Sequence, residues 1–193
     1  DNRSLLYDSA GQLLVELEGI FPRFSANGQR ILTSSSSDNR SFLYDDAGQL
    51  LVELEGNSPR FSADRQRILT SSSSDNRSFL YDDAGQLLVE LKGNSPRFST
   101  NEQKIVTTLP NQDLSRVYDF AGNLLAEFPG ASDNLSLGFT PDNQYLFTKT
   151  NDGSYHLWPL DDGLEDLLAK GCDWVRPYLQ ANPEETRAQF CLE

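Results

Sequence analysis

The chain of 193 residues has no methionine, one histidine and two cysteines. Cys172 and Cys191 are too few for a disulfide framework. They leave either a single bridge or, as favoured here, two small buried hydrophobes in a reducing cytoplasm. His156 has no serine or cysteine companion in a recognisable motif and reads as a strand residue facing a neighbour. No apolar run approaches the roughly 20 residues that span a bilayer, and no signal peptide is visible. Positive charge is scarce: 16 Lys and Arg stand against 29 Asp and Glu, a net charge of −13. Such a field repels phosphate backbones and anionic lipid, so nucleic acid and membrane are excluded as expected partners. P-loop, protease-dyad and nucleotide fingerprints are also lacking. The missing methionine, with a start inside a repeat at Asp1-Asn2-Arg3-Ser4, leads us to expect the natural N-terminus upstream. Missing targeting signals therefore carry little weight.

What is present is repetition. Tyr7-Asp8, Tyr44-Asp45, Tyr81-Asp82 and Tyr118-Asp119 follow one another at steps of 37 residues, each with an Ala-Gly close behind. A fixed period of this size marks one supersecondary unit stacked on its own copies. The copies are close: Asp38–Val52 and Asp75–Val89 are identical.

One copy, from Asn57 to Gly93, reads as four short strands. Arg60-Phe61-Ser62 is short and apolar-centred. A turn at Ala63–Gln66 precedes the strand Arg67–Ser71, rich in apolar and β-branched residues. Ser72–Asn76 turns again, because Ser, Asp and Asn bond their own backbone. Ser78–Tyr81 is the third strand, Asp82–Gly85 a turn, and Leu87–Leu91 the fourth strand. Strict alternation places Leu87, Val89 and Leu91 on one face and Leu88, Glu90 and Lys92 on the other. One such sheet cannot bury both faces, but radial stacking can.

These residues resemble WD40 repeats. The match runs through Phe61-Ser62-Ala63-Asp64, Ile68-Leu69-Thr70-Ser71, Asp75 and Leu80-Tyr81-Asp82. In the last copy it runs through Phe139-Thr140-Pro141-Asp142, Asp152-Gly153-Ser154 and Leu157-Trp158. The resemblance implies an all-β chain: a partial or small propeller of four-stranded antiparallel blades over residues 1–160, about four blades and a half, with a helical extension over 161–193. The Tyr-Asp pairs then stand where the family has Trp-Asp, and Trp158 ties the two together. The repeats are shorter than the family's roughly 40–45 residues. The family's structural histidine is missing, so its His–Asp network is not expected. YD repeats also use Tyr-Asp-x-x-Gly, and a YD-type structural array is the rival reading.

After Trp158 the pattern changes. Asp161-Asp162-Gly163 can cap a helix. Leu164, Leu167, Leu168, Cys172, Val175 and Leu179 then fall at helical spacing. Gly171 and Pro177 predict a kink or break. Asn182-Pro183-Glu184-Glu185 reads as another helix start. The segment from Leu164 to Leu179 resembles the tail of large cyanobacterial WD40 signalling proteins, which carry STAND-type NTPase, TIR or caspase-like domains. That resemblance implies a bacterial, cytoplasmic sensor portion of a larger protein.

No catalytic, cofactor or metal residues are expected. Asp45-Asp46 and Asp82-Asp83 read as solvated turn acids, since a catalytic pair would be unique rather than repeated. Arg23, Arg60 and Arg97 are more suggestive. Each lies between Pro and Phe beside the innermost strand, which lines a propeller's channel. They either bind an anionic ligand or acidic peptide, or pair with a turn aspartate of a neighbouring blade. The expected activity is a non-catalytic scaffold for protein partners, with self-association through open blade edges. The arc either stays open or closes by using the first fourth-type strand to complete the last blade.

Overall fold

The computed structural model describes residues 2–35, 37–130, 137–160 and 171–178. The chain divides into two compact units, Asp1–Trp158 and Pro159–Glu193.

The first unit is built of antiparallel sheets in chain order. Strands β1 (Arg3–Tyr7) and β2 (Leu13–Glu18) form a two-stranded sheet. A four-stranded sheet follows, from β3 (Ile20–Phe24), β4 (Arg30–Ser34), β5 (Arg40–Asp45) and β6 (Leu50–Glu55). The next is β7 (Asn57–Phe61), β8 (Arg67–Ser72), β9 (Arg77–Asp82) and β10 (Leu87–Lys92). Strands β11 (Asn94–Phe98), β12 (Lys104–Leu109), β13 (Leu114–Asp119) and β14 (Leu124–Pro129) make the third full sheet. Strands β15 (Gly138–Phe139), β16 (Tyr145–Lys149) and β17 (Tyr155–Pro159) make a last, three-stranded sheet.

The core lies between sheets, and alternation explains how. In β8 and β9, Ile68, Phe79 and Tyr81 turn to the preceding sheet and meet Leu32, Leu43 and Leu54. Their neighbours Leu69 and Leu80, with Leu91, turn the other way and meet Ile105 and Tyr118. Both faces of a middle sheet are covered, so its two central strands read as continuous buried runs. Leu17 packs in the same manner against Ile31, Phe42 and Tyr44.

The end faces have no such cover. Tyr7 is 51% exposed, whereas its counterparts Tyr44, Tyr81 and Tyr118 are 4–5% exposed. At the other end Tyr155 and Leu157 are 66% and 64% exposed. Strands β2 and β17 belong to different sheets. Of the two arrangements that the sequence allows, the arc stays open, and β2 does not complete the last blade.

Strict alternation along the fourth strand fails at one place. Leu87 and Leu88 are both about half exposed. The β9–β10 register shifts between Leu87 and Val89, so a bulge leaves Leu88 without a cross-strand partner and turns the pair outward.

In the second unit, residues 171–178 are helical, with Cys172 buried and Val175 half-buried three positions on. Gly171 and Pro177 both lie inside this stretch, so no break falls between them. Cys172 is disulfide-bonded, which overturns the reading of two free buried thiols. Cys191, the expected cap at 161–163, the first part of the expected helical stripe up to residue 170 and the expected last helix at 182–190 lie outside the described residues.

Candidate functional site

The Tyr-Asp pairs are structural, and the geometry shows why both residues recur. The Asp8 Oδ1 accepts from the Ala10 and Gln12 N–H groups, at 2.9 and 2.8 Å. Asp45, Asp82 and Asp119 repeat the arrangement. These carboxylates are spent on closing the turn between the third and fourth strands.

The tyrosine binds the preceding sheet. The Tyr44 hydroxyl donates to the Glu18 carbonyl at 3.0 Å, Tyr81 to Glu55 at 3.1 Å and Tyr118 to Lys92 at 3.0 Å. The same carbonyls each accept a second hydroxyl, from Thr33, Thr70 and Thr107. A carbonyl has two lone pairs, and both are used. Burial pushes the phenols of Tyr44, Tyr81 and Tyr118 up. In the last sheet Trp158 takes the tyrosine's place, and its Nε1 donates to the Thr148 hydroxyl at 2.9 Å. Thr148 in turn donates to the Pro129 carbonyl.

A second hydroxyl completes each clamp: Ser4, Ser41, Ser78 and Ser115 donate to the carbonyls of Gly19, Gly56, Gly93 and Gly130. These glycines need their missing side chain. Gly56 has φ of +88°, and a Cβ there would stand 2.5 Å from the Thr70 Oγ1. These hydroxyls form one network that recurs from junction to junction. Sequence reasoning missed it, although its Thr and Ser recur at the same 37-residue step as the tyrosines.

The three arginines come together. Each stands on an innermost strand after a break in register, between Ile20 and Arg23, Asn57 and Arg60, and Asn94 and Arg97. The break holds Pro22, Pro59 or Pro96, which has no N–H for the ladder, and a left-handed residue before it (φ of 54°, 53° and 51° at Phe21, Ser58 and Ser95). Pairing resumes at the arginine, and all three line one cavity of about 550 Å³. Phe24, Phe61 and Phe98, with Phe139 and Phe147 of the last sheet, supply its apolar walls. A second cavity, of about 320 Å³, shares Arg60 and Arg97 and adds Ser58, Ser71, Ser73 and Ser95.

Arg23 and Arg60 form no ion pair with any described residue, in contrast to Arg40, Arg77 and Arg116 on the third strands, which pair with Glu53, Glu90 and Glu127 of the outer strands. The pairing of these two with a neighbouring turn aspartate is therefore not made among the described residues; Asp45, Asp82 and Asp119 are engaged in their own turns. Loss of water on burial, followed by the charges of Arg97 and Arg23, pulls the Arg60 guanidinium below its ordinary range. Among the described residues, no group of three or more His, Cys, Asp or Glu side chains is placed to hold a metal ion. None of their helices is long and apolar enough to cross a membrane.

No family model and no curated protein matches the sequence. Solved structures do match. KlHsv2 with loop 6CD replaced by a Gly-Ser linker is 13% identical over 82% of this chain and 57% of that one, with a TM-score of 0.60. The C-terminal WD40 domain of Sif2 is 17% identical over 76% of this chain and 47% of that one, with a TM-score of 0.56. The computationally designed Ika4 protein is 20% identical over 78% of this chain and 99% of that one, with a TM-score of 0.58. The chain thus spans about half the length of the first two and nearly all of the third. The fold is that of a WD40-like β-propeller, in antiparallel four-stranded blades.

Proposed function

We propose that the chain is a non-catalytic interaction scaffold whose blades present rims of loops to a protein partner. The observation that carries this reading is repetition. The two arginine-lined cavities are lined chiefly by the same residue types from successive sheets. A catalytic site needs groups unique to one position, with distinct roles. The rim is rich in solvated side chains that the turns do not use, such as Asp46 and Asp83. The tail resemblance supports a place as the sensor portion of a larger bacterial WD40 signalling protein. The disulfide at Cys172 weighs against the reducing cytoplasm that such a protein would occupy.

The test is affinity capture from the native cell with the 193-residue chain and a rim variant, Asp46→Lys/Asp83→Lys. The scaffold reading expects the same identified partner with the parent chain and its loss with the variant. Specific capture of nothing would leave a purely structural array. A second reading is favoured by the arginine-lined cavity, namely an anion bound in the channel.

A further inference from the structure

We propose that the channel bounded by β3, β7 and β11 binds a small phosphate ester that carries an aromatic or flat apolar group. The proposal deepens the channel-anion reading above and is independent of the rim.

Charge comes first. The chain carries 29 acidic residues, yet no described carboxylate lines either cavity. Three guanidiniums do. Arg23 and Arg60 make no ion pair with a described residue, and the mutual repulsion acting on Arg60 is relieved by a bound anion. Two or three converging cations balance a dianion better than a single carboxylate.

Donor count comes second. Arg60 and Arg97 stand between the two cavities and line both. On the smaller side the hydroxyls of Ser58, Ser73 and Ser95 make no hydrogen bond to a described residue. A terminal phosphate has three oxygens to satisfy, and guanidinium forks with serine hydroxyls supply that many donors. A carboxylate has two oxygens and leaves donors unused. The larger side is walled by phenylalanines, which suit a ring, and arginine stacks on such rings as well. About 550 Å³ lies within the usual range for small-molecule pockets.

The test is isothermal titration of the whole chain at low salt with phenyl phosphate, inorganic pyrophosphate, benzoate and a Glu-rich peptide. The proposal expects phenyl phosphate to bind, benzoate to bind at least about tenfold more weakly, and salt to weaken both. Arg60→Gln should lose about tenfold in affinity for phenyl phosphate, and Arg60→Lys should fall between, because the point charge survives without the fork. Arg3→Gln, outside the channel, should leave binding unchanged. The urea midpoint of each variant shows that the fold is retained. Equal binding by Arg60→Gln, or pyrophosphate and phenyl phosphate both silent at millimolar concentration, overturns the proposal. Binding of benzoate or the peptide without either phosphate also overturns it, but leaves the broader anion reading standing. Silence of all four probes removes both.

Discussion

Removing the two hydroxyls that share one carbonyl tests how the blades are held together. Tyr81 and Thr70 both donate to the Glu55 carbonyl, across the junction between two sheets. Tyr81→Phe keeps a ring that is only 5% exposed and removes one donor. Thr70 still satisfies the carbonyl, so the loss is one ordinary hydrogen bond, about 1 kcal/mol. Thr70→Val is nearly isosteric at a position that is 0% exposed and should cost about the same. Together they leave the carbonyl without a hydroxyl donor beside a close-packed glycine. An acceptor left without a partner in this part-buried junction adds about 1–2 kcal/mol, the lower part of the cost for a buried one. The double variant should then exceed the sum of the singles by about 1–2 kcal/mol, a coupling of the size found for residues in one network. The assay is urea unfolding of the four members of the cycle. Tyr81→Phe with Thr107→Val is the control, because Thr107 donates to a different carbonyl, that of Lys92. Additivity in the shared pair, or equal coupling in both pairs, would refute the clamp.

Other outcomes follow from single positions. Arg65 sits at φ of 67° in a turn where the first full copy has Gly28 at 72°, so Arg65→Gly should raise stability by about 1 kcal/mol in urea unfolding. Leu54→Ala opens a void at the junction with Ile68, Phe79 and Tyr81 and should cost about 2–5 kcal/mol. The raised phenols give a pH dependence of definite sign. Their contribution is full below the ordinary phenol value near ~10 and is lost as pH rises above it, because the unfolded chain releases those protons first. The urea midpoint should therefore fall on the alkaline side, and less steeply in Tyr81→Phe. The exposed faces at Tyr7 and at Tyr155 and Leu157 should cause concentration-dependent association in sedimentation velocity, which Leu157→Lys reduces.

The strand order was legible because period-two patterning and turn residues agree within every copy. The strand β8, expected at Arg67–Ser71, runs one residue further, to Ser72. Alternation along β10 misled at Leu87 and Leu88, since a bulge is a property of pairing that one strand's sequence does not display. The arginines could be placed beside the channel from their neighbours in sequence. Their convergence on one cavity depends on the angle between sheets, which no single repeat encodes. The clamp threonines were hidden for another reason: Thr70 is a good strand residue, so β-propensity already accounts for it. Only its shared acceptor with Tyr81 reveals the second role.

The central claim, a stack of interchangeable sheets open at both ends, is tested most directly by amide hydrogen exchange resolved strand by strand. Strands β4, β5, β8, β9, β12 and β13 have neighbours on both sides within their sheets and should be the most protected. Strands β1, β2 and β17 should exchange much faster, because their sheets are short and their outer faces lie open. Protection of β2 and β17 equal to that of the central strands would mean that the two ends pair, and would contradict the open arc.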